Sequence, residues 1–408
     1  MKQKAFTLVE LLAVIVVLSI ISLITIPIIM KSVNNVEKTG EQQSIIGYAR
    51  AIEDDVADYI MMNPGKEYNF ELADGTIKQY EYKGNDVSCS SYGFDSKENL
   101  VLSCCKVVNG SGKTYDYIKG KVKLSNVNSC NAVSNLLKKV NDEDTQYVSD
   151  SENSHQMYTF SHPATEQTDA LIDYRYIGSN PYNYVDFNGE TWRIIGIFTV
   201  EDEEGNSEQR IKIIKDESIG VMEWDELWSD WSNSSLKIYL NENYYTELNQ
   251  NAREMIEPTK TYLGGINYNS TTNFGTADEI YALERGTNRI NTSRVLNDVN
   301  NIMLIYASDY VYTYAKGIND SCYNDVYACQ YFENSKVVAS LGWLYNSEYW
   351  TVSHLPSFQN VLYVSIIGDI SYQLAGVSDG VRPVTYLKSS VKISSGNGSK
   401  LKPYKFEI

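Results

Sequence analysis

Twenty residues from Leu11 to Met30 carry no charge. As a helix they would reach ~30 Å, the thickness of a bilayer core, so this stretch predicts a membrane span. Lys2 and Lys4 precede it, which predicts a cytoplasmic N-terminus and an external remainder. A secretory signal peptide fits poorly. The run exceeds a ~7–15-residue apolar region, and Pro27, Met30 and Lys31 stand where a small-x-small cleavage site would follow. A plain anchor leaves Glu10 unexplained, because a carboxylate at the edge of an apolar span needs a partner. A cut between Ala5 and Phe6 would create an amino terminus four residues from Glu10, and a neighbouring subunit's amine could then pair with that carboxylate.

Of 408 residues, 35 are Lys or Arg and 52 are Asp or Glu, for a net charge of −17. Phosphate contacts need a basic face, so this balance argues against a nucleic-acid binder. A charged fraction of 21% beside 43% hydrophobic residues argues against a mostly disordered chain. There are 33 tyrosines but only 3 histidines. Tyrosine supplies rigid amphipathic contact area, as binding surfaces do, while three histidines leave little for histidine-based catalysis or a histidine-rich metal site.

The segment Lys4-Ala5-Phe6-Thr7-Leu8-Val9-Glu10-Leu11-Leu12 resembles the class III signal of type IV pilins and pseudopilins. The resemblance implies that a prepilin peptidase removes residues 1–5 and methylates Phe6, that Glu10 serves assembly, and that Pro27 kinks the helix. The family usually has Gly before the cut, where this chain has Ala5. Its partners would be other pilin subunits, the peptidase, the assembly platform and the membrane.

Ile45, Ala49, Ile52, Val56 and Tyr59 recur at spacings of 4, 3, 4 and 3, one apolar stripe at helical period. Asn63-Pro64-Gly65 is a stop signal. The expectation is a pilin helix over 6–62, ~85 Å long, with its transmembrane half at 6–30. Residues 63–140 read as a small β-rich head. Tyr68–Leu72, Lys78–Tyr82, Leu100–Val107 and Tyr115–Leu124 are its strand candidates. Cys89, Cys104, Cys105 and Cys130 fall here, and bridging is the default outside the cytoplasm. Side chains alternate along a strand, so one of Cys104 and Cys105 is placed to reach Cys89 and the other Cys130, with the choice open. Their spacing lacks the CxxC pairs of zinc sites.

Residues 141–156 are polar and acidic and read as a linker. Residues 157–408 read as a separate α+β domain. Tyr174–Ile177, Tyr184–Phe187, Trp192–Val200 and Gln209–Lys215 are strand candidates, with Asn188-Gly189 as a hairpin turn. Ser235–Asn241 and Ala252–Ile256 suggest short helices, and Val361–Ile366, Arg382–Leu387 and Val391–Ile393 further strands.

Segments 174–198, 211–220, 231–241, 304–315, 343–353 and 380–393 resemble a module of bacterial surface proteins that accompanies pilin-like N-termini in Gram-positive bacteria. Gly380-Val381-Arg382-Pro383, after Tyr349-Trp350, is similar to the end of C-type-lectin-like folds. Little chemistry stands out. The neighbours Ser353 and His354 are not a catalytic arrangement by themselves. Cys322 and Cys329 read as a bridge closing a loop rather than a redox pair. Asp202-Glu203-Glu204 reads as a solvated hairpin tip rather than a calcium site. Trp224, Trp228 and Trp231, spaced as on a helix face, read as core in preference to a sugar-stacking platform. No metal, cofactor or enzymatic activity is expected.

These features together imply a minor type IV pilin whose large domain binds a glycan or a host or cell-surface ligand. Gln359, Asn360, Tyr363 and Tyr372 are the ligand candidates, from a stretch with the composition of adaptable loops. A pseudopilin of a type II secretion or DNA-uptake system is one alternative, and only there would nucleic acid be a partner. A helix-tethered extracellular enzyme is the other. The expected location is a single-pass membrane state, then the cell surface in a pilus.

Overall fold

The computed structural model describes residues 38–66, 68–70, 72, 77–95, 98–125, 130–141, 156–266, 276–288, 294–313, 342–356 and 359–408. Ala5, Phe6, Glu10, Pro27, Cys322, Cys329, the span 6–30 and most of the linker (142–155) lie outside these residues. The chain divides into two compact units, one ending at Cys130 and the other running from Asn131 to Ile408. Both helices and sheets are present, in an α+β arrangement.

The first unit pairs a helix with a sheet. Residues 38–62 are helical. The expected stop holds them: Asn63 N donates to Tyr59 O at 2.9 Å, and Gly65 takes φ +79°. Ile45, Ala49, Ile52 and Val56 are buried in one apolar cluster with Leu100, Leu102, Cys105, Val107, Tyr115 and Tyr117. The stripe therefore faces the sheet, as helical period requires. Glu41 adds a polar tie, accepting from the Tyr115 hydroxyl at 2.7 Å and the Ser111 hydroxyl at 2.8 Å. Burial opposes its ionisation, but these bonds prevail and hold its carboxyl below the ordinary value.

The sheet comprises β1 (Val87–Ser88), β2 (Ser91–Phe94), β3 (Leu100–Val107), β4 (Tyr115–Ile118) and β5 (Lys121–Leu124). β3 is central, pairing antiparallel with β1, β2 and β4. The expected strand over Tyr115–Leu124 is two strands, because Lys119 and Gly120 take φ 52° and 73° and turn the chain. Lys78–Tyr82 is not a strand; it is tied by Lys78 N to Phe70 O, and its own Tyr80 and Tyr82 rings pack against Tyr48 with centres 5.8 and 5.2 Å away. Cys89 is bonded to Cys105, and Cys104 to Cys130.

The second unit begins with the helix Ala132–Leu137, capped by the Asn131 side chain, and β6 (Val140–Asn141), residues that the sequence assigned to the end of the head and, for Asn141, to the start of the linker. Next come β7 (Met157–His162), β8 (Leu171–Arg175), β9 (Tyr184–Phe187), β10 (Glu190–Glu201) and β11 (Ser207–Lys215). The remaining strands are β12 (Val221–Glu223), β13 (Thr259–Tyr262), β14 (Asn297–Asn300), β15 (Tyr349–His354), β16 (Asn360–Val364), β17 (Ile370–Leu374), β18 (Ser378–Gly380), β19 (Val384–Tyr386), β20 (Lys392–Ser395) and β21 (Tyr404–Glu407). The main sheet runs β20-β21-β9-β10-β8-β7-β6, with β11 pairing β10 and β19. It is mixed, since β21–β9 and β6–β7 are parallel.

Asn188 and Gly189 turn β9 into β10 with φ 60° and 75°, the left-handed pair that a two-residue hairpin needs. The β10–β11 register shifts between Ile194 and Gly196. A Cβ at Gly196 would stand 2.3 Å from Tyr174 O, so the close approach of β8 requires glycine there. Trp192, Ile194, Ile197, Ile211 and Ile213 are buried in the core. The stretch expected as a helix over Ser235–Asn241 runs on as α-helix Ser235–Ile238, a π-turn Tyr239–Tyr244 and Tyr245–Glu247.

Candidate ligand-binding surface

β15, β16 and β17 form a separate antiparallel sheet. The register pairs Tyr363 with both Trp350 and Ser371, and Leu362 with Tyr372. Because residues paired across antiparallel strands point to the same side and neighbours alternate, the sheet separates the four ligand candidates. Tyr363 stands on the face of Trp350, Ser371 and Gln373. Asn360 and Tyr372 stand on the opposite face with Leu362 and Leu374. Gln359 precedes β16, is exposed, and uses its carbonyl to accept from Ala375 N at 2.9 Å.

The Tyr363 face is the more organised. Trp350 is fully buried and donates from Nε1 to Met222 O at 2.9 Å. The half-buried Tyr363 ring meets it edge-on at 6.1 Å. Burial raises the Tyr363 hydroxyl above its ordinary pKa, while a bond from Ser371 opposes the shift. Gln373 Nε2 donates at 2.7 Å to Asp379 Oδ2, and Gly380 N donates at 2.6 Å to Asp379 Oδ1. Burial pushes Asp379 up to about 6 against those two bonds, with Glu348 adding to the rise. Trp350 and Asp379 are buried beneath this face, so the groups it offers are the half-buried Tyr363 ring and hydroxyl and the Gln373 amide that Asp379 holds. A ring and an amide of this kind can stack on and hydrogen-bond a polar ligand such as a sugar.

The opposite face is more apolar at its rim, with Tyr372 and Leu374 37% and 55% exposed. The tryptophans do not share a helix face. Trp224 and Trp231 are buried with ring centres 5.4 Å apart, while Trp228 is 58% exposed. Elsewhere in this unit, an open cleft of about 350 Å³ is lined by Asn188, Asn249, Gln250, Met255, Lys405 and Phe406, among others.

Other candidate positions are held within the fold or by local turns. Ser353 Oγ donates to Glu284 Oε1 at 2.5 Å. His354 is buried, and desolvation lowers it to about 4, with Arg294 adding to the shift. At the acidic hairpin tip, Asp202 Oδ1 accepts from Glu204 N and Asn206 N. Among the described residues, no group of three or more His, Cys, Asp or Glu could hold a metal ion. Also among them, no helix is long and apolar enough to cross a membrane.

Sequence reasoning missed a buried polar cluster in the core. Asp173, Arg175, Lys212, Glu284, Arg285 and Asp309 are at most 5% exposed. A signal existed, since Arg175, Lys212 and Asp309 each interrupt an aromatic or apolar run (Tyr174–Tyr176, Ile211–Ile214 and Tyr306–Tyr312).

Two family descriptions match the chain. Residues 1–26 match the prokaryotic N-terminal methylation motif, and residues 211–389 match a domain of unknown function, DUF6273. No curated protein and no solved structure gives a match. The first match supports a prepilin of type IV pilin or pseudopilin type and implies processing by a prepilin peptidase and assembly with pilin-type subunits.

Proposed function

We propose that this chain is a minor type IV pilin, a filament subunit that displays residues 131–408 as an adhesive or ligand-binding domain. The observation that carries the reading is the methylation motif at 1–26, followed by a helix whose apolar stripe is buried on a disulfide-bonded sheet. A domain this large would crowd a filament at every position, which favours a minor over a major subunit. The domain's role is binding rather than catalysis: Ser353 is engaged by Glu284, and His354 is buried. The lectin-like comparison belongs to this proposal and rests on the Gly380–Pro383 segment. The ligand class is a glycan or another polar surface group, bound by the Tyr363 face.

Mass spectrometry of the mature protein tests the first half. A chain beginning at N-methylated Phe6 is expected, and an intact Met1 or a cut beyond Met30 would overturn it. Glu10→Ala is expected to leave membrane insertion intact and deplete the protein from sheared filaments. Equal recovery of variant and wild type would refute the assembly role. Retention of wild-type protein with the cells, while a major pilin is sheared off, would instead favour the pseudopilin alternative.

A further inference from the structure

Lys212 and Asp309 meet at the bottom of the buried cluster. Lys212 lies on β11, Asp309 on the helix Ala307–Val311, and both side chains have no exposure. Lys212 Nζ stands 2.5 Å from Asp309 Oδ2. The rings of Tyr306, Tyr386 and Phe198 surround the nitrogen, with centres at 4.7, 5.1 and 5.3 Å. Asp309 Oδ1 is held separately by Arg175 Nη1 at 2.7 Å, and Arg175 Nη2 continues to Asp173 Oδ2 at 2.7 Å. We propose that Lys212 and Asp309 condense to form an intramolecular amide bond linking β11 to this helix.

The arrangement supplies what such a step needs. Nucleophile and acid are in contact inside a packed core, where proximity replaces a bimolecular encounter. Burial drives the Lys212 ammonium toward the neutral amine, although Asp309 opposes this. Burial likewise disfavours the Asp309 carboxylate, but Lys212 and Arg175 outweigh it and keep it ionised before reaction. The ammonium passes a proton along the short contact to Oδ2, leaving an amine and a carboxylic acid. Nζ then attacks Cγ, and the carbonyl electron pair moves onto Oδ1, where the Arg175 guanidinium is positioned to stabilise it. The Oδ2 hydroxyl leaves with a proton from nitrogen. One C–N bond forms, one C–O bond breaks, one water departs, and no oxidant or reductant takes part.

Condensation keeps the cluster's charge balanced. The cluster holds the cations Arg175, Lys212 and Arg285 and the acids Asp173, Asp309 and Glu284. Condensation removes one of each and leaves the Arg175–Asp173 and Arg285–Glu284 pairs. A neutral amide avoids the desolvation that a buried ion pair must bear. Reversal needs water at a site whose reacting side chains have no exposure.

Intact-mass measurement of the reduced, detergent-solubilised full chain, with tryptic mapping by tandem mass spectrometry, tests the bond. The expected mass lies one water below that of the processed sequence. A branched peptide should join the Lys212 and Asp309 segments, with no cleavage after Lys212. Lys212→Arg should restore the missing water and abolish the branched peptide. A wild-type mass equal to the processed sequence, with a linear peptide ending at Lys212, would overturn the proposal. So would a missing water traced to a cyclised aspartate in a linear peptide.

Discussion

The Ser353 hydroxyl donates to Glu284 Oε1 at 2.5 Å, and the Ser308 hydroxyl donates to the other oxygen of the same carboxyl. Glu284 is buried, and desolvation raises its pKa above the ordinary carboxylate value, with Arg285 and the two serines opposing the shift. Ser353→Ala should therefore remove a donor from a buried acid and lower stability by about 1–3 kcal/mol. Thermal unfolding of variant and wild type at one pH checks this. An unchanged midpoint would count against the bond's importance.

Two titrating groups predict opposite pH slopes. His354 is lowered from 6.5 to about 4 by burial, so its contribution to stability is present above pH 6.5 and lost as pH falls through about 4. Asp379 is raised from 3.8 to about 6 by burial, so its contribution is present below pH 3.8 and lost as pH rises through about 6. His354→Gln should flatten the acid-side loss, and Asp379→Asn the loss on raising pH. Denaturant midpoints measured from pH 4 to 7 separate the two.

The two disulfides among the described residues close sequence separations of 16 and 26 residues. Removing either pair by double Cys→Ser replacement should cost about 3 kcal/mol by the loop-entropy estimate. The loss should appear in the unfolding of the first unit, followed by hydrogen exchange at residues 100–107, while the second unit is unaffected.

Arg382 donates to Leu344 O at 2.6 Å and to Lys215 O at 3.0 Å and is nearly unexposed. Arg382→Ala strands two carbonyls and should cost about 3 kcal/mol. Arg382→Lys should recover only part of this, since an ammonium cannot reproduce the planar fork. Melting temperatures of the three proteins provide the comparison.

The sheet geometry sorts the ligand candidates. Tyr363→Phe and Gln373→Ala should each weaken binding of a glycan probe about tenfold if each removes one polar contact. Tyr372→Ala, on the other face, should leave it unchanged. Surface plasmon resonance against hits from a glycan array measures both, and loss only in Tyr372→Ala would move the site to the opposite face.

Legibility in the sequence followed local chemistry. β3 and β9 were readable to the residue, and so was the stop after the helix at 38–62, because turn residues bound each one. The β4–β5 hairpin was hidden, since a single Lys119-Gly120 turn divides two runs that each look like strand. Tyrosine abundance was the misleading signal. Tyr115, Tyr176, Tyr281, Tyr306, Tyr310 and Tyr349 are buried, so much of the aromatic content builds core rather than a contact surface. The separation of Tyr363 from Tyr372 depends on the β16–β17 register, which no single strand's sequence contains. Lys212 and Asp309 are 97 positions apart, so only the fold brings them together.

Adjacent residues of β3 reach partners on either side of it in the chain: Cys105 joins Cys89 before the strand, and Cys104 joins Cys130 after it. Cys104 takes φ 55° where the β3–β4 register shifts between Leu102 and Cys105. A strand that slipped by one place would present the wrong sulfur to each partner. The vicinal pair thus acts as an error check on alignment, because both bonds can close only when β3 is seated in its correct register.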